Sequence, residues 1–188
     1  MKFSVVAIIL VVIAALSRIL PHPPNVTPIA AMAIFGAAYL GSKKMAYLIP
    51  FLALYFSDLI LNNFLFRSFY PDATGIIWIT KISFFVYLGF ALTILISRYM
   101  LKNINAMNVV KATLIASLIF FLVSNLGVWL TMPNSTLSVA GLTTVYTAGL
   151  PYFLNSILGN IFFVAIFFGI AEFIRIKKFD FIIQDTPL

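Results

Sequence analysis

The chain has 188 residues, of which 63% are hydrophobic and 9% charged. Its mean hydropathy of +1.11 excludes a soluble domain, because no fold of this length hides so much apolar surface. The net charge of +7 is the Lys/Arg excess that the cytoplasmic loops of membrane proteins carry, and does not call for nucleic acid. With no cysteine, one histidine and five acids, disulfides, thiol catalysis and iron–sulfur clusters are excluded, and almost no material is left for a metal centre.

In chain order, apolar runs predict helices near residues 3–20, 28–41, 45–62, 76–97, 111–131 and 151–174. Spans need about 20 residues, so 28–41 is short unless it begins inside the Pro-rich run. Lys2, the apolar run and Ala14-Ala15 imitate a signal peptide. The segment runs on to Leu20, however, and is read as a first span. The expectation is an all-α membrane protein: one domain over 1–188, a six-transmembrane-helix bundle.

Lys and Arg set the topology. With the N-terminus inside, Lys2, Lys43, Lys44, Arg98, Lys102, Lys111, Arg175, Lys177 and Lys178 are cytoplasmic, and only Arg18, Arg67 and Lys81 lie outside. Both termini are then cytoplasmic in a multi-pass protein of the cell (inner) membrane. The outer loops are 21–27, 63–75 and 132–150. They are longer than the inner turns and are where recognition is expected.

Asp58, Lys81, Asn125 and Asn155 sit on four different apolar segments. Asp58 and Asn125 each lie about 20 Å from the inner ends of their helices at 1.5 Å per residue. Lys81 and Asn155 lie about one turn inside their outer ends, so the four share a layer in the outer half of the bilayer. Such groups are costly in lipid and face a bundle interior or a wet cavity. Aromatic residues share their faces: Tyr55 with Asp58, Trp78 with Lys81, Trp129 with Asn125, Tyr152 with Asn155. Aromatic walls with a few fixed polar groups describe a small-molecule pocket. Candidate ligand-binding residues are therefore Asp58, Lys81, Asn125, Trp129, Tyr152, Asn155, Trp78, Arg18, His22 and Asn25. Asp58 is expected to pair with Lys81 or Arg18, and 132–150, with Gly141 and Gly149 as hinges, to form a lid.

Each signal also has a structural reading. An Asp58–Lys81 pair can merely pin two helices. Trp78 and Trp129 suit the interfacial aromatic belt, and Asn125 and Asn155 suit interhelical hydrogen bonding. His22 between prolines suits a solvated loop, and Glu172 suits a surface pair with Arg175. Ala33, Ala37 and Gly41, like Ala165 and Gly169, form small-residue steps for close helix contact. They serve internal packing or a docking face for another subunit. No Walker, G-x-S-x-G or His-rich motif is present, so no catalytic residue, cofactor or metal is expected.

The block from Arg18 to Gly41, RILPHPPNVTPIAAMAIFGAAYLG, resembles an uncharacterised family of bacterial integral membrane proteins. Phe56-Ser57-Asp58, Ser124-Asn125-Leu126-Gly127-Val128-Trp129 and Leu150-Pro151-Tyr152-Phe153 resemble it too. Members are similar to the S components, the substrate-binding subunits, of energy-coupling-factor (ECF) vitamin transporters. The resemblance implies an ECF S-component-like bundle that captures a vitamin-like solute from outside. It also implies docking on a transmembrane coupling protein driven by two ATPases. S components often carry AxxxA on the first helix. Here Ala7 is followed four residues on by Val11, so the strict pattern is absent, and the chain either acts alone or docks through the Ala33/Ala37/Gly41 face instead.

The functional expectation is a non-enzymatic substrate-capture subunit of a micronutrient importer. Its ligand would be a flat heterocycle bearing amide or amine groups, such as a riboflavin-, thiamine-, queuine- or cobalamin-like compound. The alternative is a structural or assembly subunit of a membrane complex, in which the polar layer only joins helices.

Overall fold

The computed structural model describes residues 3–131 and 136–184, with side chains described within 5–131 and 136–176. The side chains of Lys2, Lys177 and Lys178 and residues 132–135 of the expected lid lie outside these ranges. The described residues form α1 (Phe3–Ser17), α2 (Ile29–Tyr39), α3 (Lys43–Ile60), α4 (Ser83–Met100), α5 (Ala106–Thr131) and α6 (Val139–Gln184). A π-turn, Leu61–Leu65, prolongs α3, and a 3-10 turn covers Arg67–Phe69.

Four segments are long and apolar enough to cross a membrane: Lys43–Leu65, Ser83–Met100, Ala106–Thr131 and Val139–Ile176. The chain is a multi-pass α-helical membrane protein. The helices alternate in direction, so Lys43, Lys44, Arg98 and Lys102 gather at one end of the bundle, called here the basic end. The links 18–28 and 61–82, the end of α5 and the start of α6 gather at the other, the loop end.

The shortest helix is the centre of the fold. α2, IAAMAIFGAAY, is apolar on every side, and eight of its eleven residues are buried. A helix without a polar face has nowhere to go but inside. Its alanines and glycine let neighbours come close, and it touches all five other helices. Gly36 shows why size matters: a Cβ there would sit 2.7 Å from Cγ of Pro50 on α3. At the basic end of α2, Phe35 packs on Phe167 and Phe168 of α6, with ring centroids 5.6 and 5.5 Å apart. In lipid such contacts hold helices together through close packing and dispersion rather than transfer from water.

Three expectations are corrected. The fourth helix starts at Ser83, not 76: 76–80 is irregular chain clasped by the Asn63 side chain, and 80–83 is a turn. The 132–150 loop is already helix from Val139. Pro151 suggested a helix start, but it sits inside α6, where α5 packs against both sides of it. Ala33 and Ala37 are 0% and 7% exposed. They are internal packing and not an outward docking face, although Gly41, just past the helix, is exposed. Ala7 and Val11 on α1 are fully buried as well.

Candidate functional site

The site begins where α1 ends. Arg18 follows the last residue of α1 and turns its guanidinium under α3. Its Nη2 lies 2.7 Å from Oδ1 of Asp58, with the two side chains 9% and 15% exposed. Nη1 donates to Oγ of Ser57, which itself donates to the Leu54 carbonyl at 2.8 Å. Tyr87 of α4 lies beside the same carboxylate. A lone charge at this depth is costly, and pairing with hydrogen bonding is what makes it tolerable.

The pair floors a chamber of about 610 Å³ at the loop end. On α3, Asp58, Leu61 and Asn62 line it at i, i+3 and i+4. The π-turn begins at Leu61; Asn62 faces the chamber at the helical i+4 spacing from Asp58, while Asn63 turns to the link before α4. Such one-turn widenings recur at functional positions. On α5, Phe120, Ser124, Asn125 and Val128 line a second wall. The third wall is Thr144, Val145, Ala148, Gly149 and Tyr152 of α6. Those α6 positions follow an i, i+4, i+8 stripe that a loop would not supply.

That third wall is fixed in place. Tyr146 donates to the Leu122 carbonyl at 2.6 Å, and Phe121 stacks on Phe153 with centroids 4.6 Å apart. Gly149 permits the close approach, since a Cβ there would sit 2.6 Å from Oδ1 of Asn125. Asn125 donates to the Phe121 carbonyl of its own helix at 2.8 Å. The link after α1 adds Asn25, which takes a φ of 61°. Asparagine tolerates that left-handed conformation better than most residues. The amides of Asn25 and Asn62 have no hydrogen-bond partner among the described residues.

The chamber thus gathers Arg18, Asn25, Asp58, Asn125 and Tyr152 from the sequence-predicted set. The other five lie elsewhere. Lys81 sits in the link before α4, exposed, and does not pair with Asp58; Arg18 does. Lys81 and Asp72 line an adjoining cavity of about 560 Å³, which shares Tyr70, Thr80 and Ile82 with the chamber. Trp78 is on the surface, 57% exposed. Trp129 donates from Nε1 to the Thr136 carbonyl at 2.9 Å, bracing the turn between α5 and α6. Asn155 donates to the Pro24 carbonyl at 3.0 Å and ties α6 to the Pro-rich link. His22 is exposed, with Nδ1 3.0 Å from the neighbouring Pro23 carbonyl.

Asn62, Ser124 and Thr144 are chamber residues that the sequence reading did not select. Asn62 was legible as the i+4 neighbour of Asp58. Thr144 was not, because its helix was read as a loop.

Residues 1–182 match the model of a family of unknown function, DUF6580. The chain belongs to that family. No curated protein and no solved structure matches it.

Proposed function

We propose that this chain captures a small solute in the chamber at its loop end, acting as a non-enzymatic, S-component-like subunit of a micronutrient importer. One observation carries the reading: a chamber of about 610 Å³ floored by the buried Arg18–Asp58 pair, which the half-buried Asn62 lines with no hydrogen-bond partner for its amide among the described residues, and which the exposed Asn25 lines as well. A half-buried amide in an apolar bundle without a protein partner is available to a ligand. The volume falls within the range of small-molecule sites, and Phe66, Tyr70, Phe120 and Tyr152 supply aromatic surface. The only charged side chains in the lining neutralise each other, which suits an uncharged heterocycle with amide-like donors and acceptors.

In this reading all six helical segments cross or enter a bacterial inner membrane, with both termini cytoplasmic and the chamber open outward. A coupling protein with its ATPases would dock on a surface other than the buried Ala33/Ala37 step. The Ala165/Gly169 step of α6 is exposed.

The test is mass spectrometry of small molecules extracted from the purified full-length chain, then titration of variants with the compound found. Asn125→Ala is expected to weaken binding by about 1–3 kcal/mol, and Lys43→Ala at the basic end to leave it unchanged. No extractable solute, or equal binding by Asn125→Ala, would favour a structural subunit instead.

A further inference from the structure

The link between α3 and α4 is built unlike a loop in water. From the basic end, α3 with its π-turn runs 23 residues to Leu65, whereas α4 has only 18, from Met100 back to Ser83. At 1.5 Å per residue these are about 34 and 27 Å, against a hydrocarbon core of about 30 Å. The fourth helix therefore falls short of the level that the third reaches, and the non-helical residues 76–82 join the two at the loop end.

Non-helical backbone is kept out of the lipid core unless protein or water meets its polar groups. Side chains meet several of those in this link. Asn63 acts as a strand partner, accepting from the Ile77 N–H at 2.8 Å and donating to the Ile77 carbonyl at 2.9 Å. Arg67 folds back on the turn, donating to the Ala73 carbonyl at 2.6 Å and the Gly75 carbonyl at 2.7 Å. Oγ of Ser83 accepts from the Thr80 N–H at 3.1 Å. Asp72 and Lys81 line the cavity beside the chamber.

The apolar side chains do the opposite. Phe64, Phe69, Ile76, Trp78 and Ile79 are 78%, 74%, 58%, 57% and 64% exposed. The patch is continuous with the span ends on either side, Leu65 on α3 and Phe84 on α4, which are exposed too. Aromatic side chains favour the membrane–water boundary.

We infer that segment 64–82 is seated in the interfacial layer of the bilayer at the loop end, with Phe64, Phe69, Ile76, Trp78 and Ile79 in contact with phospholipid. It is a non-helical interfacial link and not an aqueous loop. The inference is independent of whether the chamber binds a solute.

Trp78 reports on it directly, since Trp129 is the only other tryptophan in the sequence. Full-length Trp129→Phe is reconstituted in phosphatidylcholine vesicles, with and without lipid brominated on the upper acyl chain. The complementary signal is the difference between wild type and Trp78→Phe, which serves if the first variant folds poorly. Blue-shifted Trp78 emission, quenched by bromolipid and little affected by aqueous iodide, is the expected result. Iodide quenching without a bromolipid effect would place the segment in water and overturn the inference. Protection from both quenchers would place a second copy or another protein over the patch, and would overturn it equally.

Discussion

Two of the polar clusters within this apolar bundle are finished differently. Deeper in the bundle, Asn160 of α6 donates to Oγ of Ser117 on α5 at 2.9 Å. Ser117 donates to the Thr113 carbonyl, and Thr113 to the Val109 carbonyl, each at 2.8 Å. All three side chains are buried, and each donor shown ends on a protein acceptor. At the loop end, Arg18, Ser57 and Asp58 are joined too, although Nε of Arg18 is buried without a partner among the described residues, and the half-buried Asn62 beside them meets only the chamber. The first cluster is closed and its work is to hold α5 against α6. The second has a structural half and an open half. A polar residue inside a membrane helix is therefore not evidence of a site until its partners are counted.

The largest effect should come from breaking the structural half of the open cluster. Asp58→Leu leaves the Arg18 guanidinium buried without its counter-charge. Loss of one partner from a buried pair costs about 3–5 kcal/mol. The double variant Arg18→Met with Asp58→Leu should recover most of that loss, because a matched apolar pair leaves no stranded charge. Equilibrium unfolding of the purified chain in detergent measures both. If the double variant is as unstable as Asp58→Leu, the pair is not the unit described here.

The closed cluster should be worth less. Asn160→Ala removes one interhelical hydrogen bond and leaves Ser117 still bonded to its own helix. Interhelical hydrogen bonds in membrane bundles average about 0.6 kcal/mol and reach about 1.7. The same unfolding measurement should give a loss in that range. A loss as large as that of Asp58→Leu would mean that closure contributes more than charge pairing, and the contrast would reverse.

How much of this contrast was legible in the sequence follows from what each signal measures. Hydropathy counts lipid-facing and core residues alike, so it located the apolar segments and placed Asp58 and Asn125 at matching depth. It cannot see where a helix gives way to irregular chain of the same hydropathy. Residues 76–82 are as apolar as a helix end, and so Lys81 and Trp78 were placed on α4 rather than on a link clasped by Asn63 and Arg67. Proline misled in the other direction. Pro151 marks a helix start by local chemistry, yet contacts such as Tyr146 to Leu122 carry α6 twelve residues further back to Val139. Ala33 and Ala37 carried the small-residue signal correctly but not its direction, since inward and outward close contact use the same residues. The Arg18–Asp58 pair was one of two options that charge alone left open. Only the turn after α1 decides between them.

The smallest effect on stability should be the most informative one. Asn62 lies one residue past Leu61 on the π-turn, half-buried, with no hydrogen-bond partner among the described residues. Its amide does not hold helices together, so Asn62→Ala should change the unfolding free energy by no more than about 0.5 kcal/mol, as at positions outside packed or bonded networks. Asn63→Ala, one residue on, removes both bonds to Ile77 and one to Leu59. It should cost more, at about 1 kcal/mol for each net hydrogen bond lost. The neighbouring pair thus separates a side chain used by the fold from one left to the chamber. Equal destabilisation by the two variants would show that Asn62 is structural too, and the open cluster would then be closed like the other.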